Sequence, residues 1–319
     1  LNVDRIEVAS ARVSEGEYQG ARKIFTYAKG HGHLDKVEVL GFVDGDTSLK
    51  WIKDAGGRVN NLLTKGSLNH CENQLRKTPE QHIADIKEVL AHAREMGIRM
   101  NIYFEDWSNG MRNSPEYMYQ MLDALKDESI ERYMLPDTLG ILNQQEAYDF
   151  CLDMVTRYPD LDFDFHAHND YDLATANVFS AIKAGISGVH TTLNGLGERA
   201  GNVPLSSVIG VVKDHFKYEM NVKEDRLYHA SKMLESFSGI RIPANKPLIG
   251  ENVFTQTSGI HADGDHKDNL YFNDLLPERF GRKRSYALGK MSGKASILKN
   301  LEELGIELSK EDAKLVTER

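Results

Sequence analysis

Phe163-Asp164-Phe165-His166-Ala167-His168-Asn169-Asp170 is an alternating run that ends in two histidines and a polar turn. On a strand, side chains repeat every two residues, so His166 and His168 point one way while Phe163, Phe165 and Ala167 point towards apolar cover. Two imidazoles side by side at a strand exit can chelate a divalent ion if a third ligand lies near. Taken alone, the pair is better read as two ordinary polar residues at a strand end. Its meaning depends on the rest of the chain.

Working outward, strands and helices alternate. Strands are expected at Arg5–Ser10, Lys36–Phe42, Arg58–Leu63, Arg99–Phe104, Glu131–Leu135, the opening stretch and Gly188–Leu193. Helices follow each of them. The helix after the third strand shows the signals most fully: Thr78 as N-cap, Pro79 in the first turn, Gln81 in the capping-box position and Gly97 as the stop. Strict alternation implies parallel strands joined by right-handed crossovers. Two architectures compete, an open doubly wound sheet and an eight-stranded barrel. No Gly-x-Gly-x-x-Gly follows a strand, so the dinucleotide-binding fold lacks its marker. The chemically unusual residues lie at the C-terminal ends of several strands, where barrel enzymes keep their chemistry. The expected fold is therefore an α/β TIM (β/α)8 barrel over residues 1–217, with its first strand–helix unit missing before Leu1. A small, mainly helical subdomain is expected over 218–319, with a helix near 223–237 followed by the stiff linker Ile242–Pro247.

The totals narrow the functional classes. A chain of 319 residues with a net charge of −9 has no excess of Lys and Arg to neutralise phosphates, which argues against a nucleic-acid binder. Two cysteines, Cys71 and Cys151, stand far apart and imply a reduced, cytoplasmic setting. No apolar run is long enough to cross a bilayer, so no membrane partner is expected.

The strand ends carry a constellation. In the fourth strand Asn101, Tyr103 and Glu105 share a face, which places Glu105 at the barrel mouth with Tyr103 one layer deeper. Thr138 follows the fifth strand and could bind a carboxylate or cap a helix. The loop Asn194–Asn202 is glycine-rich, which admits close backbone approach to a ligand, and Asn202 could offer a carbonyl oxygen to a metal. Ser258-Gly259-Ile260-His261-Ala262-Asp263-Gly264 reads as a loop that could fold over the mouth, with His261 a candidate general base.

Together His166–Asp170, Asn194–Asn202 and Ser258–Gly264 resemble the acyl-CoA-dependent Claisen-condensing enzymes of the 2-isopropylmalate synthase family, which includes citramalate and homocitrate synthases. The similarity covers essentially the whole chain. Through Glu105–Gly110 and Glu278–Arg284 it runs to the bacterial citramalate synthase branch. The resemblance implies metal-dependent condensation of acetyl-CoA, the cosubstrate, with a 2-keto acid, in leucine or isoleucine biosynthesis. It assigns His166, His168 and Asn202 to a divalent metal (Zn, Mn or Mg). It makes Glu105 and Thr138 lining groups of the keto-acid site, Glu105 counting among the catalytic residues, and gives His261 and Tyr271 the enolisation step. It further implies a homodimer, because the family's histidine loop enters the partner barrel. Leu40, Leu63 and Tyr103 would floor the side-chain pocket, and three bulky residues tilt it towards pyruvate rather than 2-ketoisovalerate. Arg282, Lys283, Arg284, Lys290 and Lys294 are either CoA-phosphate contacts or solvated surface charge.

The family's first strand ends in Asp-x-Thr-Leu-Arg-Asp-Gly, which supplies a metal-binding Asp and a catalytic Arg, and its regulatory domain follows the core; residues 1–319 contain neither. The expectation is that this stretch alone binds metal poorly and turns over little. Two other classes compete: a metal-dependent barrel hydrolase, and a non-catalytic binding protein derived from the family.

Overall fold

The computed structural model describes residues 1–288, 294–306, 308–309, 311–312 and 315. The chain divides into two compact units: Val3–Val208, and Ile209–Arg319 with Leu1–Asn2.

The first unit holds β1 (Ile6–Ser10), α1 (Glu15–Gly30), β2 (Val37–Phe42), α2 (Thr47–Ala55), β3 (Val59–Lys65), α3 (Pro79–Met96) and β4 (Arg99–Glu105). It continues through α4 (Trp107–Asn113), α5 (Pro115–Leu125), β5 (Arg132–Asp137), α6 (Gln144–Arg157), β6 (Phe163–Ala167), α7 (Ala174–Ala184), β7 (Gly188–His190) and the start of α8 (Leu205–Val211). The seven strands pair in chain order, β1 to β7, and every pairing is parallel. A doubly wound sheet reverses its order at a switch point. A sheet that never reverses is wound in one direction only, and this one is the curved wall of a TIM-type barrel.

Local signals set the elements. Thr78 and Gln81 form the expected capping box on α3, and Asn143 with Glu146 repeats it on α6. The outward faces of the strands build the core. Val39, Leu62, Ile102, Phe104, Leu135, Phe163 and Phe165 are fully buried, as are Ile52, Ile86, Met118, Leu122, Met154 and Val178 on the helices. Burying such side chains stabilises by about 1.5–3 kcal/mol each. The opposite strand faces carry polar groups instead, and the site is built there.

In the second unit α9 (Leu227–Ser238) is followed by β8 (Thr255–Gln256), α10 (Gly259–Asp268), β9 (Ser285–Tyr286) and α11 (Lys294–Glu303). β8 and β9 pair in parallel. Arg279 binds Asp214 and Glu224, each at 2.8 Å, and so ties residues 212–226 to the 277–281 turn. The stretch expected as a loop around His261 is helix α10. Glycine at 259 and 264 argued for a loop, but the segment ends in an Asn269 in the left-handed region and carries an Asp263–Lys267 pair one turn apart.

Candidate active site on the concave face of the barrel unit

Side-chain bonds show which residues face inward. Asn101 donates to Asn61 at 2.8 Å, and Asn61 donates to Glu7 (2.6 Å) and Glu38 (3.0 Å), crossing four strands. One layer up, the Tyr103 hydroxyl meets His190 Nδ1 at 2.7 Å, and His190 Nε2 meets the Asp164 carboxylate at 3.1 Å. Asp164 is held in a two-pronged ion pair by Arg132. Burial alone would raise the Asp164 pKa, but the Arg132 guanidinium and His190 outweigh it and hold the carboxyl well below the usual range. Gly188 makes room for this pair: a Cβ there would lie 2.0 Å from Asp164 Oδ1.

His166 and His168 share the inward face of β6 and its exit, with ring centroids 5.2 Å apart. The Tyr103 ring stands edge-on to His166 at 5.9 Å. Asn202 bridges back to His168, and its amide lies 3.1 Å from His166 Nε2. Gly197 lets it in, because a Cβ at that position would lie 1.9 Å from Asn202 Oδ1. The loop itself is pinned from outside the cluster. Arg199 donates to Asp170 at 2.7 Å and to the Thr138 carbonyl at 2.8 Å.

Burial, and then the neighbouring His190 and His168, push the His166 pKa far below its ordinary value. Burial and Arg199 lower that of His168. Both rings are therefore neutral near pH 7, the form that binds metal. Their Nδ1 atoms are buried without a hydrogen-bond partner among the described residues, so each ring keeps a nitrogen that the protein does not engage. The donor type thus fits a divalent ion. The number does not yet close: among the described residues no group of three His, Cys, Asp or Glu side chains could hold a metal.

At the rim, Lys65 ends β3 and forms an ion pair with Glu105, which ends β4. Thr138 accepts the Asp106 backbone N–H at 2.8 Å, so its hydroxyl oxygen joins the ends of β5 and β4. Leu63 registers against Tyr103, and Leu40 lies on the inward face of β2 beside Phe42, both half-buried. The barrel unit thus brings together ten of the residues expected or found here: Leu40, Leu63, Tyr103, Glu105, Thr138, His166, His168 and Asn202 with Lys65 and His190.

In the second unit His261 is exposed and packs against Tyr271, ring centroids 4.1 Å apart and planes tilted by 31°. Gly264 leaves the ring its place, since a Cβ there would sit 2.4 Å from Tyr271. Arg282 donates to the carbonyls of Gly250 and Glu251 at 2.6 and 2.9 Å, and Arg284 binds Asp265 at 3.2 Å. Both are committed to this unit's own packing. Lys290 and the side chain of Lys294 lie outside the described residues.

Lys65, Arg132, Asp164 and His190 were not singled out from the sequence. Asp164 and His190 obey the period-two rule that exposed His166. Lys65 lies two residues past the expected end of its strand.

A seven-stranded parallel wall with a polar concave face and histidines at the strand exits is the frame of a barrel enzyme. Residues 1–234 match the family described as HMGL-like, and residues 248–319 match the homocitrate synthase post-HMGL domain-like family. The chain is 32% identical over 317 residues to the 2-isopropylmalate synthase of Sulfurisphaera tokodaii, covering 99% of this chain and 80% of that protein. It is 34% identical over 320 residues to the homocitrate synthase of Saccharolobus solfataricus, covering 97% and 66%. A Methanopyrus kandleri protein provisionally named (R)-citramalate synthase is 33% identical over 312 residues, covering 98% and 60%. The chain therefore spans 60% to 80% of the length of these relatives. Among solved structures, a Bacillus subtilis HMG-CoA lyase aligns with a TM-score of 0.63 at 21% identity, over 76% of this chain and 83% of that one, a likeness of fold alone. The chain belongs to the HMGL-like family, in the group that holds the citramalate, 2-isopropylmalate and homocitrate synthases.

Proposed function

We propose that the protein condenses the acetyl group of acetyl-CoA with a short 2-keto acid, with residues 1–217 as the catalytic barrel and 218–319 carrying the enolisation residues. The observation that supports this best is the concave face itself. Neutral His166 and His168, Asn202, Tyr103 and the Lys65–Glu105 pair converge above an apolar floor. A divalent ion (Zn, Mn or Mg) held by His166 and His168 with Asn202 near it would polarise the keto group for attack.

The chain's own groups supply the rest. Tyr103, fixed by His190, walls the pocket with a phenol that burial keeps protonated. Leu40, Leu63 and Tyr103, with Phe42 beside them, leave a small floor that favours the methyl of pyruvate over the isopropyl of 2-ketoisovalerate. Thr138 and Glu105 line the keto-acid side. His261 and Tyr271 are assigned to proton removal from the acetyl methyl, within a homodimer. The setting proposed is cytoplasmic; no described helix is long and apolar enough to cross a membrane. The pathway is that of leucine or isoleucine, according to the keto acid.

The test is thiol release from acetyl-CoA, followed with a thiol reagent across pyruvate, 2-ketoisovalerate and 2-ketoglutarate, on protein that includes whatever flanks residues 1–319. Release with pyruvate at least tenfold above the others is expected. Hydrolysis without dependence on any keto acid would overturn the reading.

A further inference from the structure

The Lys65–Glu105 pair differs from the other ion pairs of the barrel rim. The Lys65 side chain is only 10% exposed, whereas the surface pair Lys50–Asp46 leaves the lysine side chain 62% exposed. Removing an ammonium from water costs several kcal/mol, and a single carboxylate repays that incompletely. Two apolar residues would fill the same space at lower cost. Among the described residues Lys65 Nζ donates to Glu105, and two of the ammonium's three N–H groups meet no protein acceptor there.

Position gives those donors a direction. Residues 61, 63 and 65 of β3 face inward with 101, 103 and 105 of β4, and the register sets Lys65 against Glu105 directly above Leu63 against Tyr103. The Asp106 N–H to Thr138 bond brings the end of β5 alongside. The result is an apolar floor with a half-satisfied cation at its edge. That is the complement of a small molecule with an apolar tail and one carboxylate.

We propose that Lys65 is the carboxylate-binding residue of this site: its ammonium receives the acid group of the 2-keto acid while Glu105 holds it in place. This rests on the condensation reading for the identity of the ligand, and it makes a monoanionic 2-keto acid the required class. It also gives Glu105 a second role as the group that positions Lys65.

The experiment compares wild type, Lys65→Met and Lys65→Arg by equilibrium titration with pyruvate and with its neutral analogue pyruvamide, alongside thiol-release kinetics. Wild type should bind pyruvate at least tenfold more tightly than pyruvamide. Lys65→Met should lose that preference and raise KM for the keto acid about 10- to 100-fold, the size of a charged hydrogen bond, with KM for acetyl-CoA within twofold. Lys65→Arg should recover part of the loss. Equal binding of pyruvate and pyruvamide by wild type overturns the proposal even if Lys65→Met fails to fold. So does unchanged pyruvate binding in a folded Lys65→Met. Lys65-dependent binding of pyruvate without thiol release would sink the condensation reading and leave this proposal standing. Thiol release with an unchanged keto-acid KM in Lys65→Met would do the reverse.

Discussion

Each unit of the molecule sets a histidine beside a tyrosine, and the two pairs are held in opposite ways. Tyr103 and His190 are hydrogen-bonded at 2.7 Å inside the barrel wall, with Asp164 and Arg132 behind them. His261 and Tyr271 lie ring against ring on the surface of the second unit, and Tyr271 is 41% exposed. A buried polar chain survives only if every member is satisfied, so each partner fixes the next and the whole becomes rigid. An exposed pair is solvated whatever it touches, so it is free to serve a reaction without serving the fold. The first pair should therefore be costly to cut for stability, and the second costly only for turnover.

The largest effect is expected from Asp164→Ala. It leaves the Arg132 guanidinium in the barrel wall with its anion gone and frees His190 to turn. Breaking one partner of a buried pair costs about 3–5 kcal/mol. Both tryptophans, Trp51 and Trp107, lie in the barrel unit, so their fluorescence during denaturant unfolding reports that unit alone. Asp164→Asn, which keeps one acceptor, should lose less than half as much. Equal stability of Asp164→Ala and wild type would show that the chain is not what holds the wall.

A second effect depends on pH. His82 is buried on α3, and its Nε2 accepts the Lys65 backbone N–H at 3.1 Å, which requires a neutral ring. Burial lowers its pKa to about 4. The folded value lies below the unfolded one of about 6.5, so the protein resists protonation that the unfolded chain accepts. The stabilisation is complete above about pH 6.5 and is lost as pH falls towards 4, with a slope of up to about 1.4 kcal/mol per pH unit. His82→Gln should flatten the fall in unfolding midpoint over that window by about one proton. The slope should not vanish, because His166 and His168 are lowered in the same sense. An identical slope in the variant would remove His82 from the acid response.

How far the sequence could be read follows the same division. Strand and helix order, the caps of α3 and the inward face of β6 are local: each depends on residues a few places apart, and the pattern states them directly. The His190–Asp164–Arg132 chain depends on which strands become neighbours, and that follows only from a register between segments about 30 residues apart. Lys65 is hidden in the sequence because Thr64, Lys65 and Gly66 look like a turn after Leu63; the extra pairing with β4 carries the strand on to Lys65. The α10 segment failed in the other direction. Its glycines suggested a loop, while its helix comes from backbone bonds that the glycines tolerate.

The smallest stability effect, and the sharpest contrast, is expected at His261. Its ring is exposed and touches the tilted Tyr271 ring, so removing it uncovers little apolar surface and, among the described residues, leaves no buried group unpaired. Surface changes of that kind usually fall within about 0.5 kcal/mol. His261→Ala should therefore unfold at the wild-type midpoint when helix content is followed by circular dichroism, which sees the second unit as the tryptophans do not. Its thiol release should nevertheless fall about 100- to 10,000-fold, the usual contribution of a positioned proton-transfer group. Pyruvate binding should be unchanged, because the Lys65 rim and the His166–His168 pair are untouched. A variant as active as wild type would take His261 out of the enolisation step; one that lost several kcal/mol would mean that the surface pair is part of the fold after all, and the opposition between the two pairs would collapse.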